Sequence, residues 1–305
     1  MRKKFLLSAI AVALASSVAA GELAKTVPIA DVHMHLYEHR GALSQREMLN
    51  IMDANNVRWA GGVGLFQKDF PKDRYISAIG QRYFFDVHRR SGEQALSNED
   101  NFNNLWEEAE TLFKEGKLKG FGEIHTSNKH SNPHNNGWEV SLRSSTIERM
   151  YSIANRYNGF VQLHTEYSVG FDENLRYLSK KYPNVVTVLA HCTPKIRADQ
   201  MDKLFTDLPN VMCEISGANG PLLGSHINGG RMYTKEGIRR HWLDLIVKHP
   251  DRVMVGSDAY SGKEHLLDAQ LKEIRELFLA RLPEDIVEQI AYKNAVRLFG
   301  LKENN

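Results

Sequence analysis

Apolar and β-branched runs alternate along the chain with stretches of helical periodicity. Several of the runs are continuously apolar, as is typical of parallel strands that are buried on both faces. Eight runs predict β-strands, at 27–35, 57–65, 83–88, 118–124, 160–165, 185–191, 211–216 and 252–258. Apolar residues recur at helical spacing within 172–182, 235–249 and 263–281.

Eight strands that alternate with helices predict an α/β fold, a closed (β/α)8 TIM barrel. An open doubly wound sheet is the alternative, but the glycine-rich turn that usually follows its first strand is absent, since Leu36-Tyr37-Glu38 stands there. Long polar loops follow the fourth and seventh predicted strands, at 126–137 and 217–230. Loops at the carboxyl ends of the strands build the active site of a barrel enzyme, so their length here indicates an enzyme.

The first twenty residues have the pattern of a secretory signal peptide. A basic start is followed by an apolar stretch, 5–15, and by small residues at 17–20 that suit a cleavage site. We therefore expect a signal peptide at 1–20, a single catalytic barrel domain at 21–305, and a periplasmic or secreted protein. An uncleaved N-terminal anchor is the alternative; after cleavage we expect no membrane association.

The charge balance gives no sign of a nucleic-acid-binding protein. The chain has 39 Lys and Arg against 37 Asp and Glu, and the signal peptide holds three of the cations, so the mature chain would carry 36 against 37. A net charge near −1 offers no electrostatic attraction to nucleic acid. We expect a small-molecule substrate, no nucleic acid, and a homo-oligomer as one option for assembly.

The chain has two cysteines, Cys192 and Cys213. An exported compartment permits a disulfide between them if their strands are neighbours. The simpler interpretation, which we favour at this point, is two buried thiols that pack as small apolar groups.

Histidines and acids stand at the ends of the predicted strands, where an ionisable group is costly unless it is paired or bound to a metal. His33 and His35 are two residues apart on one strand, so both side chains point to the same side. With the others they form a candidate metal centre: His33, His35, Glu123, His164, His191 and Asp258. Imidazole and carboxylate donors together suit zinc, manganese, iron or nickel, and we expect one or two divalent ions, Zn²⁺ first among them.

The segments 31–36, 255–258 and 294–301, with the strand-end His164 and His191, resemble the amidohydrolase superfamily, specifically its amidohydrolase-related branch of metal-dependent TIM-barrel hydrolases. The resemblance implies that His33, His35 and Asp258 hold one metal ion, and that His164 is a further ligand. It also implies that Asp258 takes the proton from the metal-activated water. His191 would be a ligand of a second metal or would polarise the substrate.

Glu123 occupies the position where binuclear relatives place a bridging carboxylate, which favours two metals. The resulting expectation is an exported hydrolase that cleaves an amide, ester or lactone bond of a small molecule. Alternatives are a metal-dependent decarboxylase of an aromatic or unsaturated acid, a phosphoesterase or nuclease, and a binding protein that has lost catalysis. The residues after His191, Cys192-Thr193-Pro194, lack the glycine usual in the decarboxylase branch, which argues against that alternative.

Several other polar or aromatic residues are weaker candidates for the site. His125 either enters the site or lies on the surface. We expect Glu166 to be an exposed loop acid, with orientation of His164 or contact with the substrate as the alternative. The cations after the sixth and seventh strands are expected to be solvated, with clamping of a substrate carboxylate as the alternative. Trp138 and Tyr260 either line the pocket or pack under loops. We expect His130 and His134 to be solvated loop histidines, with metal ligation as the alternative. The cations in question are Lys195, Arg197 and Arg231.

Overall fold

The computed structural model describes residues 20–36, 43–129, 137–224, 231–259 and 264–303. Eight parallel strands form its centre. They are β1 (Ile29–Met34), β2 (Val57–Gly62), β3 in two parts (Tyr75–Ile76 and Ala78–Gly80), β4 (Gly120–His125), β5 (Phe160–His164), β6 (Val186–Leu189), β7 (Val211–Glu214) and β8 (Val253–Met254). The first part of β3 pairs with β2 and the second part pairs with β4, so that this strand joins two parallel sheets.

Backbone hydrogen bonds also connect the first strand with the residues that directly follow the last one. Val32 N donates to Val255 O at 3.0 Å and Asp258 N donates to His33 O at 2.7 Å. Met34 and Ala259 form a parallel bridge next to them. Together with the sheet order from β4 to β8, these bonds close the ring of strands, as the predicted (β/α)8 barrel requires.

Helices surround the strands and bury one face each. The main ones are α1 (Gln45–Ala54), α2 (Gln81–Ser91), α3 (Asn103–Lys114), α4 (Ser145–Arg156), α5 (Val169–Lys181), α6 (Ala198–Asp207), α7 (Arg240–Lys248), α8 (Leu267–Glu273), α9 (Glu284–Glu288) and α10 (Asn294–Phe299). In α5, Phe171, Leu175 and Leu178 are buried at helical spacing, and Ser168 caps the first turn by accepting from Phe171 N at 3.1 Å. Within the described ranges, every helix is too short or too polar to cross a membrane.

The prediction of a strand at 83–88 is wrong, because these residues lie in α2. The aromatic run within 83–88 has the composition of a strand. The buried positions of α2, however, are Gln81, Phe84 and Val87, and this spacing of three residues is close to the period of a helix. The third strand lies just upstream, at 75–80. The predicted helix at 235–249 is also shorter, since a small hairpin (Tyr233–Thr234 with Gly237–Ile238) precedes α7.

Cys192 and Cys213 form a disulfide, with their Cα atoms 4.8 Å apart. The interpretation as two packed thiols is therefore wrong. Leu189, at the end of β6, pairs directly with Cys213 on β7, so the residues just beyond β6 come within reach of it. The bond joins the segment that follows β6 to the neighbouring strand.

Candidate metal centre

The carboxyl ends of five barrel strands bring the candidate donors together. His33 lies in β1 with His35 just beyond it, Glu123 and His125 lie in β4, and His164 ends β5. His191 follows β6, and Asp258 follows β8. Five of the six predicted site residues have side chains that are at most 12% exposed, and the Asp258 side chain is 17% exposed. The structure thus places all six at one rim of the barrel.

One set of donors consists of His33, His35, Glu123 and Asp258, whose ligand atoms all lie within 4.8 Å of one another. Asp258 Oδ1 is 3.4 Å from Nε2 of both histidines. Glu123 approaches the same pair through both oxygens, with Oε1 3.4 Å from His33 Nε2 and Oε2 3.2 Å from His35 Nε2. Two imidazoles and two carboxylates therefore converge on one point.

A second set shares Glu123 and adds His125 and His164. Glu123 Oε1 is 3.0 Å from His164 Nδ1 and 3.4 Å from His125 Nε2. His191 Nε2 lies close by, 3.1 Å from His164 Nδ1 and 3.6 Å from Glu123 Oε1. Glu123 is thus the carboxylate at which the two sets meet, and His125 belongs to the site.

The donors fit a divalent cation. Nε2 of His33 is buried and has no hydrogen-bond partner among the described residues, although two carboxylate oxygens lie 3.4 Å from it. A buried imidazole nitrogen without a partner costs free energy unless an ion or a water molecule satisfies it. Nitrogen and oxygen donors of this kind suit Zn²⁺, Mn²⁺ and related ions.

Glu214 is a site residue that was missed from the sequence. Its Oε1 is 2.8 Å from His33 Nδ1 and accepts from His191 N at 2.7 Å, and its Oε2 accepts from Ser216 N at 2.7 Å. An ionised carboxylate can only accept, so the His33 ring donates through Nδ1 and Nε2 faces Glu123 and Asp258, where its lone pair would serve a metal ion once Nε2 has lost its proton. The sequence did contain a signal for this residue, since Glu214 is an acid within the apolar run 211–216 that predicts a buried strand.

The charges of the site hold one another in their ionised forms. Burial alone would raise the pKa of Glu123, but the charges of His33 and His125, with hydrogen bonds from His125 and His164, hold it well below its usual range. Likewise, burial opposes the ionisation of Glu214, yet His33 lowers its pKa to about 2. His164 is the reverse case, because burial and then the neighbouring His125 lower its pKa to about 4, so its imidazole is neutral near pH 7 and able to bind a metal.

Three of the six predicted site residues have a left-handed backbone. The φ angles are 44° at Glu123, 56° at His191 and 57° at Asp258. This conformation costs a non-glycine residue about 1–2 kcal/mol. Residues held in such regions cluster at functional sites, where the surrounding structure enforces them.

The weaker candidates have different outcomes. Glu166 is buried and pairs with Lys195 at 2.8 Å, so the prediction of an exposed loop acid is wrong. Trp138 is buried and donates through Nε1 to His125 O at 2.7 Å, whereas Arg197 is exposed and pairs with Asp199. The guanidinium of Arg231 donates to backbone carbonyls and is not a solvated cation. His130, His134 and Tyr260 lie outside the described residues.

Comparison with solved structures shows chains of the same fold at low sequence identity. Dihydroorotase from Campylobacter jejuni has a TM-score of 0.52 and 14% identity, over 92% of this chain and 85% of that chain. The 2,6-dihydroxybenzoate decarboxylase from Rhizobium has a TM-score of 0.50 and 12% identity, over 90% of this chain and 99% of that chain. No curated protein matches the sequence.

The family comparison is decisive for the assignment. The model of the amidohydrolase family matches residues 30–301, which include every predicted site residue from His33 to Asp258. This agrees with the resemblance seen in the sequence and with a barrel that carries metal-ligand types at its carboxyl rim. The chain belongs to the amidohydrolase family and is a metal-dependent enzyme.

Proposed function

We propose that the protein is a metal-dependent hydrolase that cleaves an amide, ester or lactone bond of a small molecule. The observation that carries the proposal is the position of Glu123, whose carboxylate belongs to both donor sets. A carboxylate shared in this way supports a centre for two ions, with His33, His35 and Asp258 on one side and His125, His164 and His191 on the other. Zn²⁺ is the ion we expect first, because it accepts both donor types.

A divalent ion at this centre would lower the pKa of a bound water toward neutrality and polarise the scissile carbonyl. The protein's own part is to hold the donors rigidly and to move a proton. Asp258 suits proton transfer, because its side chain is the most exposed of the six and its Oδ1 lies 3.4 Å from both His33 and His35. We assign to it the proton of the attacking water and its delivery to the leaving group.

His191 is the second residue with a proposed catalytic role. Its Nδ1 lies 2.8 Å from Ser216 Oγ, while its Nε2 faces His164 and Glu123. This arrangement leaves Nε2 beside the donors, where it can ligate the second ion or polarise the substrate oxygen. Both functions need the ring fixed in one orientation.

We also propose that the chain is exported and that residues 1–20 are removed as a signal peptide. The Cys192–Cys213 disulfide supports this proposal, since structural disulfides persist in oxidising compartments and are rare in the cytosol. N-terminal sequencing of the protein purified from a periplasmic fraction tests it. A start at residue 21 is expected, and an intact N-terminus in the cytosol would contradict it.

The reaction is tested by incubating the zinc-loaded and manganese-loaded protein with panels of amides, esters, lactones, phosphoesters and aromatic carboxylic acids. Proton release titrated at constant pH detects hydrolysis, and trapped carbon dioxide detects decarboxylation. We expect hydrolysis by the wild type and a loss of at least about 100-fold in Asp258→Asn, the usual contribution of a general base or acid. Carbon dioxide release without hydrolysis would assign the protein to the decarboxylases, and turnover confined to phosphoesters would favour the phosphoesterase.

A further inference from the structure

The segment that follows β6 has an unusual backbone. Four non-glycine residues in it have left-handed φ angles, namely His191 at 56°, Cys192 at 42°, Thr193 at 53° and Lys195 at 71°. Each costs about 1–2 kcal/mol relative to an ordinary conformation. A concentration of strain in one short segment persists only where other groups enforce it.

Arg231 is the group that meets the carbonyls of this segment. Its Nη2 donates to His191 O at 2.7 Å and to Cys192 O at 3.1 Å, and its Nη1 donates to Ile196 O at 2.8 Å. Nη2 also donates to Asn219 Oδ1 at 3.0 Å. One planar guanidinium thus spans both ends of the strained segment, which a lysine with a single ammonium group cannot do.

The surroundings of Arg231 show that this contact is not a surface ion pair. Among the described residues, the four oxygens that accept hydrogen bonds from it are all neutral, and its guanidinium lies 4.8 Å from the ring centre of Trp242. Burial lowers the pKa of the guanidinium to about 10. A partly buried cation without an acid partner is costly, so its hydrogen bonds to the carbonyls offset a real penalty.

We propose that Arg231 is the positioning residue for His191. Both peptide groups of His191 are held by side chains: its N–H donates to Glu214 at 2.7 Å, and its carbonyl accepts from Arg231 and from Asn219 Nδ2 at 3.0 Å. These contacts fix the left-handed turn at His191 and hence the direction of its side chain. The direction matters because Nε2 lies only 3.1 Å from His164 Nδ1.

Without the guanidinium, the carbonyls of Cys192 and Ile196 lose the Arg231 donor and the carbonyl of His191 keeps only Asn219 Nδ2, so the segment relaxes toward ordinary φ angles. The disulfide at Cys192 and the Lys195–Glu166 pair still hold the segment to its neighbours. Removal of Arg231 should therefore change the orientation of the His191 ring, while the segment itself stays folded. The inference rests on the proposed metal centre but not on the identity of the reaction.

The test compares Arg231→Met and Arg231→Lys with the wild type, and Arg197→Met serves as the matched control because it removes an exposed arginine after the same strand. Each protein is loaded with Co²⁺, whose visible absorption reports the number and geometry of ligands. We expect Arg231→Met to keep its far-UV circular dichroism, to show an altered cobalt spectrum, and to bind cobalt about 10–100-fold more weakly, as for other losses of ligand support. Arg231→Lys should bind cobalt with an affinity between those of Arg231→Met and the wild type. Arg197→Met should match the wild type.

A lower melting temperature with an unchanged cobalt spectrum and affinity in both Arg231 variants would overturn the proposal, since a purely structural arginine gives that result. If Arg231→Met does not fold, Arg231→Lys decides by the same criteria. If the wild type takes up no cobalt, the proposed metal centre fails instead. The imidazole ¹⁵N signals of His191 in metal-free Arg231→Lys then decide the inference: displacement from the wild-type positions supports it, and unchanged signals overturn it.

Discussion

Glu214 Oε1 lies 2.8 Å from Nδ1 of His33, and this contact determines which ring nitrogen faces the other donors. Since the carboxylate accepts a hydrogen bond from Nδ1, it is Nε2 that faces Glu123 and Asp258 and would bind a metal ion. The same oxygen accepts from the backbone of His191 at 2.7 Å. Glu214 thus supports histidines from two strands without belonging to the donor set of His33, His35, Glu123 and Asp258.

Removal of this carboxylate should weaken metal binding. We predict that Glu214→Ala lowers the affinity for Zn²⁺ by about 10–100-fold, the usual effect of losing the partner of a ligating histidine. Competition with a chromophoric chelator measures the affinity. The control is Glu236→Ala, an exposed acid on the hairpin before α7, which should bind zinc like the wild type. Equal affinities for both variants would refute a role for Glu214.

Gly256 has room for no side chain. A Cβ there would lie 2.3 Å from Glu214 Oε2 and 2.8 Å from His33 Cβ. We predict that Gly256→Ala destabilises the protein by about 1–3 kcal/mol, because both neighbours are held in a packed core. Urea unfolding monitored by circular dichroism measures this. Gly170→Ala is the control, since the nearest atom to its new Cβ is Ser168 Oγ at 3.9 Å, and it should leave the unfolding midpoint unchanged or slightly higher.

The disulfide should contribute to stability and to the site together. It closes a loop with a sequence separation of 21 residues, for which chain entropy gives about 3 kcal/mol. We predict that reduction, or the variant Cys192→Ala/Cys213→Ala, lowers the melting temperature by several degrees. The double variant also controls for other effects of the reductant, because it has no cysteine left and its melting temperature should not change when the reductant is added. A melting temperature equal to that of the oxidised wild type would contradict this account.

Glu273 should make stability depend on pH. Its oxygens accept from Leu222 N at 2.8 Å and from the Tyr233 hydroxyl at 3.3 Å, and burial raises its pKa above the usual value. The unfolded chain therefore releases this proton at lower pH than the folded one, and stability contributed by the group falls as the pH rises above about 4.3.

We predict that Glu273→Gln removes this pH dependence, since the amide keeps an acceptor for Leu222 N but does not ionise. The melting temperature of Glu273→Gln minus that of the wild type should increase as the pH is raised from 4 to 7. Glu276→Gln, an exposed neighbour, should show no such change. A constant difference in melting temperature between Glu273→Gln and the wild type across this range would show that the half-buried carboxyl of Glu273 is not responsible.

The parts of the fold that could be predicted are those with a continuous physical signal. The apolar runs that end at His33, His164 and His191 mark the strands well, because a parallel strand that is buried on both faces needs such a run. The family resemblance and the α/β barrel are confirmed. The aromatic run at 83–88 misled the prediction, since composition alone does not separate a short strand from the buried face of α2.

The supporting residues of the site could not be predicted in the same way. Glu214 and Arg231 act through contacts across long stretches of sequence, for example Glu214 to His33 and Arg231 to His191. Their spacing carries no motif, and only the closed ring of strands brings them together. The disulfide depends on the same closeness, because a Cα separation of 4.8 Å follows from the pairing of β6 with β7 and not from the two cysteines themselves.

Metal analysis of the purified protein tests the central claim most directly, which is that these strand-end side chains hold ions around Glu123. We predict two divalent ions per chain by inductively coupled plasma mass spectrometry after loading with Zn²⁺ and gel filtration. Glu123→Gln should retain about one ion or fewer, while Glu166→Gln, a buried acid outside the donor sets, should retain two. A folded wild-type chain that takes up no zinc, manganese, iron or nickel would contradict the account.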